Sequence, residues 1–400
     1  VQGSQRSLLG LAFVLGAAAL AYRGVLGFEL LGWDSYPTIA ASRIHGAGDL
    51  AGTFREELMD GRYPGGRFYR PLTNLSLALD HALWGLEPFG YQLTNLLVLG
   101  AAIAAVLALA RRLLGAGPGA WIATAVFALH PLQLEWLPAA ARRAEMLATL
   151  FTVAALCAGL ARPARRAACW SALFVVLAMA SKEIGAVALP LVAGAAAILP
   201  ARATPRERAE AALRAAALPA AGMALLLAAR IAALGGLGGH PESTLAAGAL
   251  RGLLQLPDYA RSLLVPQPLF GAPALDLVAC LALAGGAAAG LALVTGPDDA
   301  RSDPLRGDAA RGAAGPPRRV LALLGLWLAL LLALAGVSGV RAAWYGAPFL
   351  PPYALGLGML ADGALAAVRA RRRLAALVAG GVACALLATH LVYSGLAHDY

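Results

Sequence analysis

The chain has 400 residues, of which 60% are hydrophobic and only 14% charged, and this excludes an ordinary soluble domain. Its 32 basic residues exceed the 22 acidic ones by ten, which in a soluble chain would suggest nucleic acid. Here more than half of the basic residues fall in short gaps between long apolar stretches, so the charge serves to orient the chain in a bilayer.

Eleven apolar stretches predict membrane spans at 8–28, 91–110, 118–138, 144–161, 167–181, 184–200, 212–235, 272–295, 320–340, 345–367 and 374–395. Every second gap is rich in arginine: Arg111–Arg112, Arg162 with Arg165–Arg166, Arg202 to Arg214, Arg301 to Arg319, and Arg369 to Arg373. The positive-inside rule puts these gaps and the N-terminus in the cytoplasm and Tyr400 outside. The expected fold class is an all-α polytopic membrane protein of about 11 transmembrane helices, with interfacial helices in the first outer loop. The whole of 1–400 reads as one transmembrane domain without internal repeats. The first stretch has no cleavage site and reads as a signal anchor, and the missing initiator Met implies a short piece before Val1. Cys157, Cys169, Cys280 and Cys384 are scattered through apolar stretches and read as small buried hydrophobes.

The outer gaps hold residues of both charge signs. They comprise a long first loop (33–90), a tight turn at 181–183, a second loop (236–271) and the turn at Arg341. By contrast the cytoplasmic segment 296–319 is a Gly/Pro/Asp/Arg-rich flexible linker. In the first loop Trp33 stands where an interfacial aromatic belongs, and Asp34 follows it at the membrane surface. Asp34 has two readings, a proton acceptor for a substrate hydroxyl and a cap for the helix beginning near Thr38. Residues 69–86 open with Arg70 and Pro71 and then repeat Leu72, Leu75, Leu79 and Leu83 at helical spacing, with Thr73, Asn74, Asp80 and His81 mostly off that stripe. This predicts a helix lying in the outer interface.

In the third stretch Pro131 follows His130, predicting a kink with the helix continuing towards Trp136. His130, Glu135, Arg143 and Glu145 are expected at one membrane level, where ionisable groups are costly and a structural or a cavity role must explain them. Lys182, the sole lysine, precedes Glu183 in the 181–183 turn. The pair reads either as a local ion pair closing the hairpin or as a cation awaiting a lipid phosphate. Arg23 and Arg230, inside predicted spans, read as snorkelling side chains.

Taken in order, WDSYPTIAASRI, FYRPLTNLSLALDHALWG, ALHPLQLEWLPAAARRAEMLA and ASKEIGAVALPL resemble the membrane domain of the transmembrane and tetratricopeptide-repeat O-mannosyltransferases and their bacterial relatives, within the GT-C glycosyltransferase superfamily. LPDYARSLLVPQPL and RAAWYGAPFLPPYALGLGML resemble weaker downstream motifs, so the likeness runs across most of 30–365. It implies an inverting enzyme of the bacterial inner membrane, transferring a sugar from a polyprenyl-phosphate donor to a hydroxyl acceptor, protein or glycan, at the periplasmic face. It implies Asp34 as general base and Lys182, Arg143, Arg70 and Arg341 as donor-phosphate cations. His130, Glu135, Glu145, Glu183 and Asp80 would shape the cavity. No cofactor is implied beyond the lipid-linked sugar as substrate. Metal independence is likewise implied, although Asp34 with an outer-face Glu offers ligands for a divalent ion. A repeat domain is expected after residue 400. The chain departs from the pattern at Ser35, Gln92, Arg142 and Val340–Arg341, positions that bear on sugar and acceptor more than on fold. Two other classes compete: a lipid-linked sugar transporter or flippase, and an inactive membrane anchor of a scaffold protein.

Overall fold

The structure is a computed structural model that describes residues 2–63, 66–161, 164–200, 203–239, 245–264, 317–338 and 343–369. Within them the chain is helical, and the elements follow the predicted order. Helices α1 (Gln2–Ala21), α5 (Pro88–Leu114), α6 (Pro118–Leu129), α7 (Arg143–Gly159), α8 (Ala164–Ser181), α9 (Ala188–Ile198) and α10 (Pro205–Leu234) take the first seven expected spans. Two more, α13 (Pro317–Ser338) and α14 (Leu350–Arg369), take the ninth and tenth. Among the described residues five helical segments are long and apolar enough to cross a membrane, and the shorter α6, α7, α8 and α9 pack among them. This is a polytopic all-α membrane protein. The expected spans at 272–295 and 374–395, most of the 296–319 linker, and Arg341 lie outside the described residues. The three residues of that linker that are described, Pro317–Arg319, begin α13.

The main apolar core joins α1, α5, α6, α7, α9, α13 and α14 around Ile103, Phe127, Leu156, Leu191, Trp327 and Leu355. The arginine-bearing turns meet at one end of this bundle. There Arg112 donates to the Cys157 carbonyl, and Arg208 and Arg319 both donate to the Pro200 carbonyl. Arg111 stacks over Trp121 at 4.7 Å, and Asp362 of α14 accepts the Gly119 N–H at 2.9 Å. Among the described residues, the turn after α5 thus meets the end of α7, and the turn before α10 meets the start of α13.

The loop 33–90 folds into three helices, α2 (Ser35–Ala41), α3 (Ala47–Gly52) and α4 (Pro71–Trp84), at the opposite end. In α4 the polar face turns inward: Thr73, Asn74 and Asp80 are buried, whereas Leu79 and Leu83 are exposed. An exposed leucine stripe over a buried polar face suits a helix with lipid outside and protein inside. A small cluster of Leu30, Ile39, Leu77, Tyr91 and Ala140 then binds α2 and α4 to α5.

Two expectations from sequence fail here. Helix α6 does not continue bent towards Trp136 but ends at Leu129. His130 is extended (φ −67°, ψ 132°), and a 3-10 turn, Pro131–Glu135, follows. Proline disfavours the helical region at the residue before it as well as removing its own donor, and here both effects act. Cys157 is buried as expected, but Cys169 is exposed on α8.

Candidate active site

Four turns converge at the end of the bundle that carries the first loop, and each holds its charged residue by a different local device. The turn before Asp34 depends on Gly32, whose φ of +90° suits glycine and whose missing Cβ would lie 3.0 Å from Asp34 Oδ1. Leu31 N–H donates to the Pro138 carbonyl at 2.9 Å and Ser35 Oγ to the Leu31 carbonyl at 2.6 Å, which pins the turn to the 131–142 segment. Asp34 occupies the N-cap position of α2, yet its side chain accepts no capping hydrogen bond. The capping reading therefore fails and leaves the carboxylate unassigned. Burial raises its pKa above the ordinary value. Its own backbone N–H works against this, Glu145 adds to it, and Arg142 and Arg70 oppose it.

Arg70 stands at the N-cap of α4, where Pro71 begins the helix. Its Nε and Nη2 donate to one oxygen of Glu183 at 3.1 and 2.9 Å, and Arg230 Nη1 donates to the other at 2.9 Å. Burial alone would raise the Glu183 pKa, but the two guanidiniums hold it at about 2. Arg230 is 5% exposed and also donates to the Leu237 and Tyr69 carbonyls, so it is buried and does not snorkel. Sequence reasoning missed its role. The available signal was a lone arginine one turn before the Gly235 helix end.

Lys182 and Glu183 do not pair with each other. The turn that holds them lies against α8 so closely that a Cβ on Gly185 would stand 2.2 Å from the Ala178 backbone. Lys182 is buried, forms an ion pair with Glu145 at the start of α7, and lies 4.4 Å from the Tyr345 ring centroid. The local ion-pair reading of the hairpin is thus overturned.

The expected group of His130, Glu135, Arg143 and Glu145 is divided. Arg143 has no exposed surface and sits 2.5 Å from Asp80 Oδ2. It also donates to Asn95 Oδ1 at 2.6 Å, Ser76 Oγ at 2.8 Å and the Tyr91 carbonyl at 3.0 Å. Thr94 Oγ1 donates to the other Asp80 oxygen at 2.7 Å. The donors of Arg143 are thus engaged inside the protein, by Asn95, Ser76, Tyr91 and Asp80. Glu135 pairs with Arg142 at 3.7 Å, and Arg142 stacks on Trp344, also 3.7 Å from the ring centroid. His130 is buried deeper, between the Leu132 N–H, the Leu263 carbonyl and the Tyr353 ring.

The site thus brings together Asp34, Arg70, Glu145, Lys182 and Glu183, adds Arg230, and sets Arg143, Asp80 and His130 apart. Arg70, Arg230 and Lys182 face the carboxylates of Glu145 and Glu183, leaving one positive charge in excess beside Asp34. Among the described residues no group of three His, Cys, Asp or Glu is arranged to hold a metal ion.

No family model matches the chain. Over 88 residues, 22% of its length, it is 38% identical to protein O-mannosyl-transferase TMTC2 of Mus musculus, and the match covers 10% of that protein. Over 148 residues, 36% of its length, it is 31% identical to protein O-mannosyl-transferase Tmtc1 of Drosophila melanogaster, covering 17% of it. The matched segments thus span a small part of these curated relatives. The fold matches the crystal structure of ArnT from Cupriavidus metallidurans bound to undecaprenyl phosphate, with a TM-score of 0.55 and 14% identity over 96% of this chain and 75% of that one. The chain has a GT-C fold. Archaeal oligosaccharyltransferase AglB from Archaeoglobus fulgidus, in complex with an inhibitory peptide and a dolichol-phosphate, shares this fold too. There the TM-score is 0.52 at 13% identity, covering 97% and 56%. Within the GT-C fold, the chain resembles the O-mannosyltransferases in sequence.

Proposed function

We propose that this protein is a membrane glycosyltransferase that moves a sugar from a polyprenyl-phosphate donor to a hydroxyl acceptor with inversion. The observation that carries this is the excess positive charge of Arg70, Lys182 and Arg230 beside an Asp34 carboxylate that caps nothing. A departing lipid phosphate needs fixed positive charge, and an acceptor hydroxyl needs a base. In this reading Asp34 takes the hydroxyl proton, the oxygen forms the new bond at the sugar's anomeric carbon, and the bond to phosphate breaks on the opposite face. The polyprenyl phosphate leaves towards Arg70 and Lys182. Side-chain cations then meet the leaving charge. That ArnT and AglB were solved with polyprenyl phosphates, and that the sequence relatives carry an O-mannosyltransferase name, supports the substrate class.

Glu183 holds Arg70 and Arg230 in place, and Tyr345 and Glu145 hold Lys182. The site lies at the end away from Arg111, Arg208 and Arg319, and the positive-inside rule makes that the periplasmic face of a bacterial inner membrane. Arg70→Gln and Lys182→Gln should each weaken binding of undecaprenyl phosphate by ~10-fold or more, the scale of one charge-assisted hydrogen bond. Lys182→Arg should retain part of the affinity, and Arg206→Gln at the far end should change nothing. Unchanged lipid affinity in both site variants would reject this reading.

A further inference from the structure

One helical turn from Arg70, the first loop encloses a second polar space. The backbone is left-handed at Met59 and Asp60, with φ of 56° and 53°, a strained conformation for methionine that recurs at ligand sites. An open cavity of about 400 Å³ lies beside it, lined by Arg43, Asp49, Glu56, Glu57, Asp60 and Asn74. Arg67 and Arg62 engage Glu57 and Asp60, and Asp49 accepts the His45 backbone N–H at 2.7 Å. Glu56 has no ion pair among the described residues. Asn74 is only 8% exposed, and its buried Oδ1 receives no donor. A buried acceptor left unmet is unfavourable, so a ligand that donates into this wall would recover that loss. Arg43 Nε is buried without an acceptor in the same wall. The cavity therefore lacks both a strong donor, opposite Asn74 and Glu56, and a carbonyl, opposite Arg43.

A peptide bearing a basic side chain supplies both. We propose that this cavity is an acceptor subsite that holds the lysine or arginine side chain of a polypeptide whose serine or threonine hydroxyl is presented to Asp34. The inference rests on the transferase reading and names its acceptor class. Helix α2 runs from Asp34 to the cavity wall at Ala41, a rise of ~10 Å at ~1.5 Å per residue. An extended peptide covers that distance in about three residues at ~3.3 Å each. The basic residue therefore belongs about three positions from the hydroxyl.

The test is direct binding to the full chain in detergent without sugar donor. The probes are an acetylated alanine nonapeptide with one threonine and, three residues on, one arginine, and the same peptide with glutamine for arginine. The arginine peptide should bind ~10-fold more tightly at low salt, the scale of a charged hydrogen bond. Glu56→Gln, an exposed position tolerant of change, should remove most of that preference while undecaprenyl phosphate binds as before, and Asn74→Leu should reduce it also. Equal affinity for the two peptides overturns the proposal, as does a preference that persists in Glu56→Gln. Calcium or magnesium binding lost in Glu56→Gln without any peptide preference would make the cavity a cation site and also overturn it. If the arginine preference holds while the chain neither binds lipid phosphate nor transfers sugar, the transferase reading fails and the cavity stands as a peptide site. If transfer holds and the preference is absent, the cavity proposal alone fails.

Discussion

Asp34→Asn is expected to lower sugar transfer by ~10²–10⁴-fold, the range for loss of a general base, while lipid binding stays intact. The side chain caps no helix and makes no ion pair among the described residues, and an asparagine oxygen can still accept from the backbone N–H of residue 34, so the amide keeps the contact that is there. Its pKa lies above the ordinary carboxylate value, chiefly through burial. A carboxyl raised in the folded state binds its proton more tightly there than in the unfolded chain. Stability therefore falls as pH rises past the unfolded value, and Asp34→Asn should melt no lower than the parent at neutral pH. For the same reason the transfer rate should climb with pH through a step above the ordinary carboxylate range, and the asparagine variant should lack that step. Full activity in Asp34→Asn would remove the base from the mechanism.

Arg143→Met should instead destabilise the protein by ~3–5 kcal/mol, since it leaves buried Asp80 without its cation. The Asp80–Arg143 pair has 3% and 0% side-chain exposure and links α4 to α7 beneath the site. Adding Asp80→Asn to the methionine variant should recover part of the loss. A melting series in detergent reads both effects. If Arg143→Met kept its melting temperature and lost only lipid affinity, the arginine would be a phosphate ligand after all.

The contrast between Arg143 and Arg70 shows how far a sequence reaches. Periodicity located α4, because Pro71 and leucines three and four apart define a helix and its face. The alternation of arginines located the two ends of the bundle, because it records a force acting on each turn separately. Neither signal says which turns touch. Lys182 meets Glu145 across 37 positions, and Arg70 meets Glu183 across 113. Spacing rules speak only for neighbours on one element, so Lys182 read naturally as the partner of Glu183 beside it. Arg230 was misread for the same reason: a buried partner elsewhere in the chain makes a charge inside a span tolerable without snorkelling. The early end of α6 was legible in principle, since Pro131 restrains His130 as well as itself. Asp34 was placed at the surface by Trp33, but that it caps nothing is known only from the folded turn at Gly32.

The most direct measurement is a structure of this protein with undecaprenyl phosphate bound. The account predicts a phosphate oxygen within ~3 Å of Arg70 or Lys182, at the end of the bundle that carries Asp34. A phosphate held at the other end, among Arg111, Arg208 and Arg319, would contradict it.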